Sequence, residues 1–318
     1  MTESAIARRG GPHAAKVSIV GAGTVGTAIA YACLIRGSAR ELALYDVNGK
    51  KVRAEVLDLN HGSPFVPPCR VLGGDDLGVT AESAIVVVTA GAKQHPGQSR
   101  LDLASTNVAM AQTLIPQLLE CSPEAVIVMV TNPVDLVTCA AVKAADAPSG
   151  RIFGSGTVLD SSRFRHLIAA RAGIAVENVH GVVVGEHGDS EIPVWSAVTV
   201  GGLPAEEVFD DVARQQISSE VVNAAYEIIA GKGATNLAIG LSTARIIEAI
   251  VGDQHRVLPV STVQSGAHGV SRVALSLPTV VSASGAGRVL AAPLSDDELA
   301  GLHESARTLT EAGRSLGL

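Results

Sequence analysis

The heptapeptide VGEHGDS, Val184 to Ser190, sets His187 between Gly185 and Gly188 and flanks it with Glu186 and Asp189, directly after an apolar run. Glycines so placed mark a backbone that turns sharply or leaves room for a ligand. His187 there fits a proton carrier, a metal ligand or an ordinary loop histidine, and the motif alone leaves all three open. Asp160 and Arg163 in LDSSR are three residues apart, so they share a face of a helix starting near Thr157; such a pair is usually a solvated ion pair of small worth. Arg100 closes the polar loop 92–100, whose Gly97 suits a lid over substrate, although a polar loop with one arginine also reads as plain surface. Asn132, before Pro133, is either a turn residue or a polar group reaching into a site. Hydride transfer asks for a group that exchanges a proton with the alcohol oxygen, a cation for the substrate carboxylate and a donor that polarises the carbonyl. Histidine serves the first near neutral pH, and the planar fork of arginine suits the second.

A partner for such chemistry is written near the start. Gly21-Ala22-Gly23-Thr24-Val25-Gly26 follows the apolar segment KVSIV and opens a helical pattern. Glycines there let the backbone turn and approach a pyrophosphate while helix-terminal N–H groups face it. Alone the pattern is weak, since glycine-rich turns are common. Asp46 ends the next strand, where a carboxylate accepts from both ribose hydroxyls and repels a 2′-phosphate, favouring NAD over NADP. The alternative is that Asp46 only starts a solvated turn before Asn48-Gly49. Strand, glycines, helix, strand and acid in that order favour the nucleotide.

The elements that must position these groups alternate. KVSIV (16–20), ELALYDV (41–47), AIVVVTA (84–90) and AVIVMVT (125–131) are apolar on both faces, as buried strands of a parallel sheet are. Helical patterns fill 24–36, with Gly37 placed to end the helix, and 106–120. This predicts an α/β fold, a doubly wound parallel sheet of Rossmann type. The second half reads as an α+β catalytic domain: a helix over 157–172, the short strands HGVVVG and SAVTV, helices over 206–230 and 236–251, strands RVLPVSTV and SRVALSLP, and a capping box at Ser295 before a last helix. The expected division is a loose tail over 1–15, a nucleotide-binding domain over 16–154 and a catalytic domain over 155–318, closely packed.

Among 318 residues, 47% are hydrophobic and 17% charged, the balance of a globular chain rather than a disordered one. A net charge of −7 and a pI near 5.7 provide no basic field for nucleic acid. Cys33, Cys69, Cys121 and Cys139 show no zinc or redox spacing, which favours a reducing compartment. No apolar stretch approaches the ~20 residues that span a bilayer, so no membrane partner is expected.

Six motifs follow in order: Gly21-x-Gly23-x-x-Gly26, Gln94 to Arg100, Thr131-Asn132-Pro133-Val134-Asp135, Asp160-x-x-Arg163, Gly185-Glu186-His187-Gly188-Asp189-Ser190 and Lys232-Gly233-Ala234-Thr235. Through them the chain resembles the lactate/malate dehydrogenase family, and within it the bacterial L-lactate branch, from about Lys16 to the last helix. The resemblance implies a cytoplasmic, NAD-dependent oxidoreductase of glycolysis and fermentation. Gly21, Gly23, Val25, Gly26, Asp46, Lys51, Gly91, Val130, Asn132 and Ser155 would hold NAD. His187 would be the acid/base, oriented by Asp160; Arg163 would clamp the carboxylate, Arg100 polarise the carbonyl, Asn132 assist and Thr235 line the pocket. The helix over 236–251 would return to touch the first domain.

The family's specificity position falls six residues before Arg100, at Gln94. Malate enzymes carry an arginine there for the second carboxylate of oxaloacetate. A neutral glutamine leaves that charge desolvated and unpaired, so Gln94 points to pyruvate and L-lactate. His95-Pro96-Gly97 resembles the malate loop, and Leu237 stands where many lactate enzymes have an aromatic residue; both bear on substrate size and loop kinetics. Arg165 and His180 match positions where bacterial members bind fructose 1,6-bisphosphate across a subunit interface, which implies an allosteric homotetramer. Arg165 lies about 200° around the helix from Arg163, facing away from the site. Without the resemblance both residues read as solvated surface. No metal is expected, since His180 and His187 lack ligand spacing. The rivals are a malate or branched-chain L-2-hydroxyacid dehydrogenase, or a non-catalytic NAD-binding module.

Overall fold

The structure, a computed structural model, describes residues 15–92, 100–291 and 293–318; of Arg100 and Leu101 it describes the backbone. Gln94 and the rest of the expected lid, 93–99, lie outside the described residues, as does the expected tail up to residue 14.

Six parallel strands form the frame: β1 (Lys16–Val20), β2 (Glu41–Tyr45), β3 (Arg70–Gly74), β4 (Ile85–Val88), β5 (Val126–Met129) and β6 (Ile152–Gly154). Alternation of side chains explains why the runs are apolar throughout. Ile85 and Val87 of β4 enter one buried layer, and Val86 and Val88 enter the other. Helix α1 (Thr24–Arg36) packs on the first face and stops at Gly37, whose φ of 64° suits glycine. Helices α2 (Gly49–His61), α3 (Arg100–Cys121) and α4 (Val134–Ala144) complete the crossovers, with α3 and α4 on the second face.

The sheet continues into the second half of the chain. β12 (Arg256–Ser265) pairs antiparallel with β6 through Ser261 and Gly154, and β13 (Ser271–Ser282) and β14 (Gly285–Val289) extend it to nine strands. Two lobes were expected to meet near residue 155; at that point one sheet runs through. Helix α5 (Val158–Ala172) leaves from there and packs on α6 (Asp211–Lys232) around Phe164, Ile168, Ile217 and Val221, with Trp195 edge-on to Phe164 at 4.8 Å. Each such buried side chain contributes roughly 1.5–3 kcal/mol. The expected strand HGVVVG is broken into β7 (Val179–His180) and β8 (Val183–Val184), which pair with different partners: β8 with β9 (Ile192–Pro193), β7 with β10 (Thr199–Val200), and β10 in turn with β11 (Leu203–Pro204). SAVTV is strand only in its last two residues. Helix α7 (Leu237–Val251) packs along α1, fastened by the bidentate Arg36–Glu248 pair, so the late helix does reach the first half. Helix α8 (Asp296–Ser315) begins with both bonds of the Ser295–Glu298 capping box. No helix among the described residues is long and apolar enough to cross a membrane.

Candidate active site

At the carboxyl ends of β1, β2, β4 and β5 the fold leaves a crevice of about 980 Å³. Its glycine turn is held by backbone and side chains together. Gly21 has a φ of 105°, and a Cβ on Gly26 would lie 1.9 Å from the Gly21 carbonyl oxygen, so α1 starts against the turn only with glycine there. The Thr89 hydroxyl donates to Gly21 O at 2.9 Å and fixes the turn to the end of β4. Asp46 accepts from Ala22 N at 2.8 Å and from Asn48 N at 3.0 Å, which aims its carboxylate at the mouth of the turn with lone pairs to spare for hydroxyl donors. Turn, helix terminus and carboxylate therefore fit an adenosine ribose and pyrophosphate.

Gly21, Gly23, Val25, Gly26, Asp46, Lys51, Gly91, Val130, Asn132 and Thr235 all line this crevice. Ser155 does not. It is buried just past the end of β6, donating its N–H to Met129 O at the end of β5 at 2.8 Å. Asn107 of α3, which has no motif to mark it, is buried beside the crevice: it donates to Asn132 O at 2.7 Å and accepts from Ala92 N at 2.8 Å. It thereby ties the end of β5 to the segment after β4.

The His187 segment is assembled from four directions. Gly185 exchanges two backbone bonds of 2.9 Å with Ser276 of β13, and Glu186 N donates to Ser305 Oγ of α8 at 2.8 Å. His187 N donates to Asp135 Oδ2 of α4 at 2.8 Å, while Ser261 of β12 donates to the other Asp135 oxygen at 2.5 Å. Three consecutive N–H groups are thus satisfied, and the loop is fixed rather than draped. The His187 Nδ1 lies 2.6 Å from Asp160 Oδ2, and Arg163 donates to Asp160 Oδ1 at 2.6 Å. Side-chain exposures of 1% for Asp160, 14% for Arg163 and 23% for His187 rule out a solvated surface pair. With Nδ1–H donating to the carboxylate, Nε2 is left to exchange protons. Asp135 stands in the first turn of α4, three residues after Asn132, which lines the crevice.

Burial alone would lower the His187 pKa, but the charge and hydrogen bond of Asp160, aided by Asp135 and Glu191, raise it to about 9. Asp160 itself is held below the usual carboxylate range: burial opposes ionisation, and His187 and Arg163 outweigh it. Burial pushes Asp135 up to about 6 despite its bonds from Ser261 and His187. Ligand-type atoms of Asp160, His187 and Glu191 lie within 4.8 Å of one another. A cation there would displace the Nδ1–H and compete with Arg163 for the same carboxylate, so the arrangement suits a proton better than a metal. Asp135, Glu191 and Ser261 carry no role in the sequence reading, although Asp135 closes the motif Thr131-Asn132-Pro133-Val134-Asp135.

Arg100 begins α3, and its side chain lies outside the described residues. Arg165 is half-buried on α5 with no hydrogen bond or ion pair among the described residues, and burial and the charge of Arg245 lower its pKa. His180 is exposed at the end of β7, and no hydrogen bond joins it to Arg165.

Comparison with known proteins gives concordant matches. Residues 15–154 match the lactate/malate dehydrogenase NAD binding domain, and residues 157–315 match the lactate/malate dehydrogenase alpha/beta C-terminal domain. The chain is 49% identical to an L-lactate dehydrogenase of Bifidobacterium animalis subsp. lactis, covering 95% of this chain and 97% of that one. It is 48% identical to one from Synechococcus sp., covering 93% and 97%. Among solved structures, the minor L-lactate dehydrogenase of Enterococcus mundtii in ligand-bound form superposes with a TM-score of 0.92 at 36% identity, covering 95% of this chain and 98% of that one.

Proposed function

Since the chain belongs to the lactate/malate dehydrogenase family, we propose that it interconverts pyruvate and L-lactate with His187 as the acid/base. It is an NAD-dependent oxidoreductase, and NAD is its cofactor. Bound in the crevice, NADH supplies the hydride for the keto carbon. The residues of this chain then do the rest. Arg163 pairs the substrate carboxylate, Arg100 polarises the keto group, and Asn132 and Thr235 border the substrate. Protonated His187 gives its Nε2 proton to the keto oxygen, and Asp160 keeps the tautomer and steadies the charged imidazole. Gly21, Gly23, Val25, Gly26, Asp46, Lys51, Gly91 and Val130 hold the cofactor, with Ser155 supporting from the end of β6. Gln94 selects pyruvate over oxaloacetate by lacking charge. The division into a tail over 1–15, an NAD-binding domain over 16–154 and a catalytic domain over 155–318 belongs to the same reading.

The observation that carries the reading is the part-buried Arg163–Asp160–His187 chain centred on the buried Asp160, with both links at 2.6 Å. A non-catalytic nucleotide binder has no use for a buried carboxylate and two ionised partners largely withdrawn from water, which is expensive unless they act. The proposal extends to a cytoplasmic homotetramer of fermentative glycolysis, activated by fructose 1,6-bisphosphate at Arg165 and His180. A half-buried guanidinium with no anionic partner among the described residues supports the effector, since a phosphate would supply that charge. NADH oxidation measured on pyruvate, oxaloacetate and 2-oxoisocaproate tests the substrate: pyruvate is expected to lead, and preference for either of the others overturns it. Pyruvate saturation with and without the bisphosphate tests activation, and superimposed curves contradict it.

A further inference from the structure

We propose that Glu191 is a positioning residue of the proton relay, a carboxyl standing beside the His187–Asp160 pair that governs how tightly His187 holds its proton. The inference rests on His187 being the acid/base. Glu191 follows His187 across a short turn closed by its own N–H on Gly188 O at 3.2 Å, and it directly precedes β9. That turn brings its carboxylate back to within 4.8 Å of both the imidazole and Asp160. It is half-buried, and among the described residues its side chain makes no hydrogen bond. A carboxyl placed so close, but bonded to neither partner, acts through its charge.

The charged groups facing it are Asp160 and Arg163 from α5, His187 itself and Asp189 from the same loop; Asp135 from α4 faces the imidazole, and Glu186 faces Asp135. Burial and the Asp160 charge raise Glu191 to about 8, against the pull of His187 and Arg163. The sign follows from the order of ionisation. Near neutrality Glu191 is protonated, and the site keeps Asp160 negative with Arg163 and His187 positive. As pH rises, Glu191 ionises and adds a second negative charge beside the imidazolium. That charge holds the His187 proton, so the reductive direction persists to higher pH than Asp160 alone allows.

The test compares pH profiles of kcat/KM for pyruvate reduction and lactate oxidation in the parent, Glu191→Gln and Glu191→Asp. A second readout follows the His187 imidazole by NMR in histidine-labelled protein, its signals identified by their loss in His187→Asn. Removing the charge is expected to move the alkaline limb of reduction, the rising limb of oxidation and the imidazole midpoint down together by about one unit. Glu191→Asp is expected to restore most of that shift. Should Glu191→Gln not fold, Glu191→Ala carries the same expectation. An active parent whose limbs and imidazole midpoint coincide with those of the neutral variant overturns the role of Glu191. A parent without pyruvate-dependent NADH oxidation, or a His187→Asn protein with undiminished rate, instead overturns the reading beneath it.

Discussion

The cofactor crevice and the His187 cluster are built from different materials. The crevice owes its shape to backbone: a glycine turn, a helix start and strand ends, with Asp46 and Thr89 hydrogen-bonded to main-chain atoms. The cluster owes its shape to side chains that hold one another, drawn from α4, α5, β12 and the loop after β8. A backbone site is spoiled by bulk and is insensitive to distant charge. A side-chain site keeps its shape under small substitutions but changes its proton affinity with every neighbouring charge. The two are therefore separable by mutation.

The largest expected effect separates them outright. His187→Asn removes the proposed proton donor, and kcat for pyruvate reduction should fall by about 10⁴-fold, while NADH affinity measured by fluorescence stays near that of the parent. Equal loss of both would merge the two regions. Asp160→Asn keeps the shape and removes the charge that raises His187, so kcat should drop by about 10³-fold. The alkaline limb should also move well below pH 9, because the charged imidazole loses its main support. On the other side, Gly26→Ala forces a Cβ against the Gly21 carbonyl. Overpacking on that scale should weaken NADH binding by roughly 10- to 100-fold and leave the His187 midpoint in place. Smallest is Asp46→Asn, expected to weaken NADH by about tenfold and to narrow the preference over NADPH, measured as a ratio of kcat/KM values.

The same difference explains what could be read from the amino-acid sequence. The glycine turn and Asp46 lie within two adjacent strands and one helix, so their order along the chain already fixes their order in space. The parallel strands announced themselves as runs apolar on both faces. By contrast, Asp135 and Ser261 are 126 residues apart and meet through one hydrogen bond on which the His187 backbone depends. No local pattern marks such a pair. Helices α2 and α4 went unread: α2 is mostly polar with few buried positions, and α4 is buried along nearly its whole length and lacks a polar face. HGVVVG looked like one strand because it is apolar, yet Gly181 falls in the gap between β7 and β8, where the chain changes partners. Ser155, expected among the cofactor residues, is buried at the end of β6 and does not line the crevice. The Asp160–Arg163 pair could not be told from a surface pair by spacing, because burial by the rest of the fold is what distinguishes the two.

One pair of pH profiles bears on the centre of this account. In the proposed mechanism pyruvate reduction needs His187 protonated and lactate oxidation needs it neutral, so kcat/KM should fall with rising pH in the first and climb in the second, both around pH 9. Opposite slopes sharing one midpoint are the expected result. Profiles that move in the same direction, or a pyruvate reaction indifferent to pH across that range, would contradict a proton passed through His187.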